Sequence, residues 1–311
     1  MGNTSSPSKK DMAICLVIFN PASTKRMLMN FLFVVNKFKL EKLPVFMIEL
    51  VFEGRNPEIA DAIHVYSNSF MFHKERLYRV LEKHVPQKYT KLAFLDSDIV
   101  FKDIIWYKKT SELLDRYDVV QPFEKAHWLD LTYTDKQLTR NTALLMEGEV
   151  YNSKFHPGFA WCMTRKWYNK VGFFDYAVSG SGDTLSVVGW LKKKFPTNFK
   201  SCPRSIEKVY QEFYSNPSPK ITFLKDMEVS HLYHGSREKR QYVSRHELLE
   251  TDKDILLLLK LNWQKVYEWN NPAEWNPKFL KYFSDRNDDD LSLEHLSPVV
   301  LELNTYAVLT G

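Results

Sequence analysis

Two aspartates, Asp96 and Asp98, flank Ser97 directly after an apolar run at residues 92–95. The run has the length of a strand and no polar face, which predicts a buried strand of a parallel sheet. Carboxylates at i and i+2 project to the same side of an extended chain. Because buried unpaired charge is costly, these acids must meet a cation, hydrogen-bond donors or water. A divalent metal that also holds a phosphate satisfies both of them, and a solvated acidic turn is the alternative.

Three further side chains have types suited to chemistry. Asp183 follows Gly180 and Gly182, which permit a tight backbone and close approach of a ligand, although an aspartate before a helical pattern is also a helix cap. His231 and His234 lie at the end of a short predicted strand, residues 228–232. An imidazole beside a carboxylate can bind a metal, but a histidine in a loop is equally often a residue without such a role. His231 is the competing choice, since it lies within the strand.

Basic side chains cluster directly after these histidines. Arg237, Lys239 and Arg240 could neutralise a phosphate. A solvated basic face on a helix that starts there is the alternative, above all for Lys239 and Arg240.

The elements before the acidic turn predict how these groups are positioned. Residues 13–19 and 45–52 form apolar strands, residues 63–66 a short third strand, and apolar side chains between residues 27 and 38 keep helical spacing. This rhythm implies parallel strands with right-handed crossovers, and ligands bind at the carboxyl ends of such strands. Asn20 and Glu49 should therefore share one edge of the sheet with the acidic turn, unless Asn20 serves only turn chemistry.

The rest of the chain completes an α/β pattern with a different C-terminal part. Helices are predicted at residues 68–83, 111–117, 183–191, 206–214 and 255–261, strands at 118–123 and 159–163, and a loop region at 124–151. We predict a disordered tail at residues 1–11, one domain at 12–250, and a mostly helical extension at 251–311 that packs on it.

Composition excludes several classes of function. A net charge of +5 suits an anionic small ligand but does not indicate nucleic acid. The three cysteines are far apart, which predicts reduced thiols in a cytoplasmic protein. No apolar run reaches the roughly 20 residues of a membrane span. Gly2 and Ser6 fit a loose myristoylation pattern, and Lys9 and Lys10 could add weak membrane attraction; a disordered Ser/Pro-rich tail is the alternative.

Three motifs occur in a fixed order: a strand with Asp-Ser-Asp at 96–98, Gly-Phe-Ala-Trp at 158–161 followed by Gly-Ser-Gly-Asp at 180–183, and His-Gly-Ser-Arg at 234–237. Together with Phe-His-Lys-Glu-Arg-Leu at 72–77, this set resembles the GT-A class of nucleotide-sugar-dependent glycosyltransferases. The variant looks like those of bacteria and large viruses, and a virus-encoded enzyme would work in the host cytoplasm. The resemblance covers residues 13–250 and implies a GT-A (Rossmann-like) fold, with a mixed, mainly parallel sheet flanked by helices.

The resemblance also implies roles for the metal and the nucleotide-sugar donor. Asp98 would bind the metal, with His234 as a further ligand and Asp96 contacting the ribose or the metal through its water. An imidazole ligand favours Mn²⁺ over Mg²⁺. The residues expected around the donor nucleotide and its phosphates are Asn20, Glu49, Lys74, Asp96, Ser97, Gly235 and Arg237.

For the reaction, the resemblance implies transfer of a sugar from a donor, UDP-linked in the preferred interpretation, to a hydroxyl of a glycan acceptor. Asp183 would be the general base of an inverting displacement. A sugar-phosphate nucleotidyltransferase is a rival, but it needs a Gly-rich loop after the first strand, where this chain has Asn-Pro-Ala-Ser at 20–23. A binding or scaffold protein that keeps the fold without turnover is the other rival.

Overall fold

The computed structural model describes residues 10–196 and 202–289. The predictions for Gly2 and for most of the N-terminal tail lie outside the described residues, as does the end of the C-terminal extension, residues 290–311. Among the residues that are described, no helix is both long and apolar enough to cross a membrane.

The chain forms thirteen described strands and eight described α-helices. The strands are β1 (Met12–Phe19), β2 (Val45–Phe52), β3 (Ile63–Ser67), β4 (Lys91–Leu95), β5 (Ile99–Phe101), β6 (Val119–Gln121), β7 (Lys125–Leu129), β8 (Lys136–Asn141), β9 (Ala160–Thr164), β10 (Ile221–Phe223), β11 (Glu228–His231), β12 (Leu259–Leu261) and β13 (Tyr267–Trp269). The helices are α1 (Lys25–Leu40), α2 (Lys74–Glu82), α3 (Ile105–Leu113), α4 (Arg165–Lys170), α5 (Gly182–Leu191), α6 (Arg204–Ser215), α7 (Ile255–Leu258) and α8 (Pro272–Asp285).

Seven strands make the main sheet, in the order β10-β6-β9-β4-β1-β2-β3. Within it β9 runs antiparallel to both of its neighbours, while the other pairs are parallel. The prediction of a mixed, mainly parallel sheet flanked by helices is therefore confirmed. The helices lie on both faces because strand side chains alternate: Met12 and Ile14 pack with α1, whereas Ala13 and Cys15 pack with α2.

A second sheet of four strands, in the order β5-β11-β7-β8, lies next to the acidic turn. The prediction that residues 124–151 form a loop region is wrong, because β7 and β8 form a hairpin there. The cause is local. Strand β8 reads Lys-Gln-Leu-Thr-Arg-Asn, lies at the sheet edge and has no buried residue, so it lacks the apolar alternation that marks a strand.

The C-terminal part packs on the main domain through aromatic side chains. Trp269, Trp275 and Phe279 are buried in one cluster with Met71 and Leu185. The predicted helix at residues 255–261 ends at Leu258, and β12 and β13 follow as a hairpin. A short apolar run does not distinguish a helix from a strand by periodicity, which explains the difference.

We expect the buried His73, directly before α2, to make the fold less stable in acid. Burial lowers the pKa of His73 from 6.5 to about 4. Between these values the unfolded chain binds a proton that the folded protein excludes, so stability falls as the pH drops below 6.5. The loss from this residue reaches about 3 kcal/mol by pH 4. The free energy of unfolding, measured in urea, should depend less on pH in His73→Gln than in wild type. His84→Gln, at an exposed position, is the control and should keep the pH dependence of wild type.

Candidate active site

The acidic turn lies at the carboxyl end of β4, on the floor of a cleft between the two sheets. The backbone N–H of Asp96 donates to the carbonyl of Phe159 at 2.7 Å, and this hydrogen bond fixes the start of the turn. The polar and charged side chains that line this cleft are Lys74, Glu75, Asp96, Ser97, Asp98, His156, Ser181, Asp183, His231, His234, Arg240, Tyr242, Arg245 and Arg286. Groups that are up to 212 residues apart in the chain, from Lys74 to Arg286, thus face one space.

Asp98 and two histidines form a trio with metal-ligand character. Asp98 Oδ2 is 2.8 Å from His234 Nε2 and 3.5 Å from His231 Nε2, and the two imidazole nitrogens are 3.1 Å apart. One ligand atom from each residue lies within 4.8 Å of the others. Asp98 Oδ1 is buried without a hydrogen-bond partner among the described residues. The donor set of one carboxylate and two imidazoles suits a borderline cation such as Mn²⁺ or Zn²⁺.

The protonation states of Asp98 and His231 are those that ligation requires. Burial raises the pKa of Asp98, but His231 and His234 outweigh it and hold that pKa well below its usual value. Burial lowers the pKa of His231 to about 4. An ionised carboxylate and a neutral imidazole are both ready to bind a cation without first losing a proton.

Strand pairing explains how residues so far apart in sequence meet. β5 starts directly after Asp98 and pairs antiparallel with β11, so that Ile99 lies opposite His231. The next residue, Leu232, donates its N–H to the carbonyl of Asp98 at 2.8 Å. His231 ends the strand and His234 follows three residues later. Both rings point at Asp98.

Asp96 lies outside this trio and pairs with Lys74 instead. Lys74 Nζ is 3.0 Å from Asp96 Oδ1 and 2.7 Å from Asp183 Oδ2. Burial lowers the pKa of Lys74, but Asp183 and Asp96 raise it well above its usual value. Lys74 was expected at a phosphate, and here its ammonium joins the acidic turn to the candidate base.

Asp183 lies in the first turn of α5 and is not its cap. The N-cap position belongs to Ser181, whose backbone has a φ of 65°. Two glycines make room around the carboxylates: a Cβ on Gly158 would lie 2.9 Å from Asp183 Oδ2, and a Cβ on Gly182 would lie 2.3 Å from Glu75. Burial raises the pKa of Glu75 to about 8, so this neighbour is protonated at neutral pH.

Two arginines present guanidinium groups to the cleft without a carboxylate partner in the described ranges. Arg240 donates to the carbonyl of His234 and to the Tyr242 hydroxyl. Arg245 donates to Ser181 Oγ, and its guanidinium lies over the ring of Phe72. Both are buried, with Nε atoms that make no hydrogen bond to described residues. A buried cation in this state favours an anionic ligand.

Four other predicted residues have different positions. Ser97 lines the cleft. Arg237 lies over the ring of Trp128 at 5.4 Å and is not among the described lining residues. The structure does not bring Asn20 or Glu49 to the cleft lining: Asn20 Oδ1 accepts from the Thr24 N–H, and Glu49 accepts from two backbone N–H groups at Glu58 and Ile59. Both therefore hold turns.

Gly235, also predicted to contact the nucleotide, packs against the C-terminal segment. A Cβ there would lie 3.0 Å from Asp288 Cα, and its φ is 84°.

Sequence reasoning did not single out several lining residues, among them Arg245, His156 and Glu75. His156 is buried, and its Nε2 has no hydrogen-bond partner among the described residues. Glu75 lies beside Lys74, with 3.8 Å between Oε1 and Nζ. A histidine before Pro-Gly and a glutamate next to a lysine carry no spacing signal of their own, so only the folded arrangement identifies them.

No family model and no curated protein matches this chain. Solved structures do. Drosophila β1,4-galactosyltransferase 7, in complex with manganese, UDP-Gal and xylobiose, is 12% identical, with a TM-score of 0.39 over 86% of this chain and 98% of that one. Glucosyl-3-phosphoglycerate synthase of M. tuberculosis is 10% identical, with a TM-score of 0.36 over 84% and 88%.

A glycosyltransferase involved in glycosylation of the major capsid of PBCV-1 is 11% identical, with a TM-score of 0.28 over 77% of this chain and 98% of that one. At such scores, residue roles and activities do not transfer from these proteins to this chain. The functional argument therefore rests on the cleft itself.

Proposed function

We propose that the protein is a metal-dependent glycosyltransferase that moves a sugar from a nucleotide-sugar donor to a hydroxyl of a glycan acceptor. The observation that carries the proposal is a convergence in one cleft. A three-residue metal-ligand set, two arginines with no carboxylate partner among the described residues, and a carboxylate paired with a lysine all face the same space.

The metal-ligand set would serve the donor diphosphate. Asp98, His231 and His234 would hold Mn²⁺ or Mg²⁺, and the unpartnered Asp98 Oδ1 supports this assignment. When bound, the metal supplies positive charge to the leaving nucleoside diphosphate. We add His231 to the proposed ligands because its Nε2 lies within hydrogen-bonding distance, 3.1 Å, of His234 Nε2. Asp96 is not among these proposed metal ligands, and it stays a candidate for a contact with the ribose or with a metal-bound water.

Arg240 and Arg245 would bind the phosphate oxygens from the other side of the cleft. Guanidinium groups form charge-assisted, often bidentate hydrogen bonds with phosphate. Phe72 and Tyr242 flank Arg245 and limit its freedom, which lowers the entropic cost of binding. A UDP-linked donor is our preferred choice within this class.

Asp183 would accept the proton of the attacking hydroxyl. Its Oδ2 lies 2.7 Å from Lys74 Nζ, and this contact fixes the position of the carboxylate in the cleft. An acceptor oxygen that reaches Asp183 would attack the anomeric carbon as the bond to the diphosphate breaks, and the proton would pass to the carboxylate. Direct displacement of this kind inverts the anomeric configuration.

A thermal-shift panel tests the proposal at the level of binding. UDP-, GDP- and dTDP-sugars are compared with and without Mn²⁺. A ligand at 100 times its Kd adds about 2.7 kcal/mol of stability, so one nucleotide series should raise the Tm by several degrees only when Mn²⁺ is present. No shift with any of the donors, with or without metal, contradicts the proposal. Formation of a nucleoside triphosphate and a sugar 1-phosphate from a shifted donor and added pyrophosphate, instead of release of nucleoside diphosphate, would identify a nucleotidyltransferase.

A further inference from the structure

The imidazole of His234 has a carboxylate on each side. Its Nε2 faces Asp98 at 2.8 Å, and its Nδ1 lies 3.5 Å from Asp288 Oδ1. That Nδ1 is buried and makes no hydrogen bond to any described residue, so Asp288 is the acceptor that it faces. Asp288 is only 2% exposed and comes from the segment after α8, far from the motifs that define the cleft.

Ligation through Nε2 requires that the imidazole carry its proton on Nδ1. Histidine ligands in proteins donate this proton to a carboxylate, carbonyl or water, which fixes both the tautomer and the plane of the ring. Arg286 pairs with Asp288 Oδ2, which leaves Asp288 Oδ1 to face the imidazole. Asp288 Oδ1 therefore stands as an acceptor beside Nδ1.

Two contacts dock the C-terminal segment, residues 286–289, on the rest of the chain, and one ion pair within the segment orients its carboxylate. Gly235 lets the backbone approach closely, as its missing Cβ would lie 3.0 Å from Asp288 Cα. Arg286 Nη2 is 3.0 Å from Asp288 Oδ2. Asp289 accepts hydrogen bonds from the N–H groups of Lys25 and Arg26, both at 2.8 Å, at the start of α1. The carboxylate is thus placed by a docked segment.

We infer that Asp288 is a positioning residue that holds His234 as a metal ligand by accepting the proton on its Nδ1. The inference rests on the proposed metal site and deepens it, because the C-terminal extension then completes the centre. It also gives Gly235 a role: the glycine admits the segment that supports the neighbouring histidine.

The experiment measures Mn²⁺ affinity of the full chain by calorimetry, without donor or acceptor. Loss of an outer carboxylate of this kind weakens metal binding by roughly 10- to 100-fold, which we expect for Asp288→Ala. Asp288→Asn keeps an oxygen acceptor and should have a smaller effect. Asp285→Asn is the matched control: it removes an exposed ion pair with Lys281 at the end of α8, outside the docked segment, and leaves Mn²⁺ affinity near the wild-type value.

A second readout needs no metal. ¹⁵N chemical shifts of His234 in wild type should report a single tautomer with the proton on Nδ1. In Asp288→Asn this tautomer should still be the most populated one. In Asp288→Ala the tautomers should mix. If the alanine variant does not fold, the asparagine variant decides: it must lower Mn²⁺ affinity relative to Asp285→Asn, and equal affinities overturn the inference.

The outcomes separate this inference from the proposed function. Wild-type Mn²⁺ affinity in Asp288→Ala, together with lost binding in His234→Ala, overturns the positioning role alone. Wild-type affinity in both Asp98→Ala and His234→Ala removes the metal site, and the inference falls with it.

Discussion

Substitution of Asp98 by alanine should abolish Mn²⁺-dependent binding of the nucleotide-sugar donor. Asp98 is the only carboxylate in the described trio, and its Oδ2 lies 2.8 Å from His234 Nε2 and 3.5 Å from His231 Nε2. Loss of even an outer-shell partner costs 10- to 100-fold in metal affinity, so loss of this ligand should cost more than about 100-fold. Calorimetry with a donor and saturating Mn²⁺ for wild type gives the measurement.

Asp103→Ala is the matched control for Asp98→Ala. Asp103 is an exposed aspartate just after β5, where it accepts a hydrogen bond from the Ile105 N–H and has no place in the cleft. The control should bind donor and Mn²⁺ as wild type does. Unchanged metal-dependent binding in Asp98→Ala, with an intact fold, would refute the metal site. His231→Ala and His234→Ala should each weaken Mn²⁺ binding, since the structure brings both nitrogens to the same carboxylate.

The central strands and the edge that carries the acidic turn could be predicted from the sequence. β1 and β4 are buried along almost their whole length, and such strands read as continuous apolar runs. The end of each run then marks the carboxyl edge of a parallel sheet. Hairpin β7-β8 could not be predicted in this way, because its outer strand is exposed and follows no apolar alternation.

The metal-ligand trio was only half predictable. The type and position of His234 indicate a ligand, whereas the sequence places His231 within a predicted strand. Which side chains converge depends on the pairing of β5 with β11, whose registered residues Ile99 and His231 are more than 130 positions apart in sequence. Local patterns contain no information about that register. The same holds for Asp288, which reaches His234 only because the C-terminal segment returns to the start of α1.

Lys74 illustrates a different limit. A lysine near a predicted phosphate site was interpreted as a phosphate contact, whereas its ammonium lies between Asp96 and Asp183. Charge type alone does not tell a ligand contact from an internal ion pair, since both satisfy the same lysine. In this structure the ammonium links the acidic turn to the candidate base, and its contact with a donor phosphate stays a prediction.

Replacement of Asp183 by asparagine should remove sugar transfer while donor binding remains. Asparagine keeps the size of the side chain and an oxygen for Lys74, but it cannot accept the proton of an attacking hydroxyl. General-base catalysis contributes about 10²- to 10⁴-fold, so the transfer rate at saturating substrates should fall by that factor. The measurement is kcat for release of nucleoside diphosphate in the presence of acceptor.

Asp175→Asn is the matched control for Asp183→Asn. Asp175 lies eight residues earlier and also pairs with cations, Arg76 at 3.2 Å and Arg79 at 2.8 Å, but it is outside the cleft. Removal of its charge should lower the Tm and leave the transfer rate of the folded protein unchanged. The two variants therefore separate lost stability from lost chemistry. Wild-type transfer by folded Asp183→Asn would exclude Asp183 as the base, and the stereochemical prediction of inversion would then lose its support.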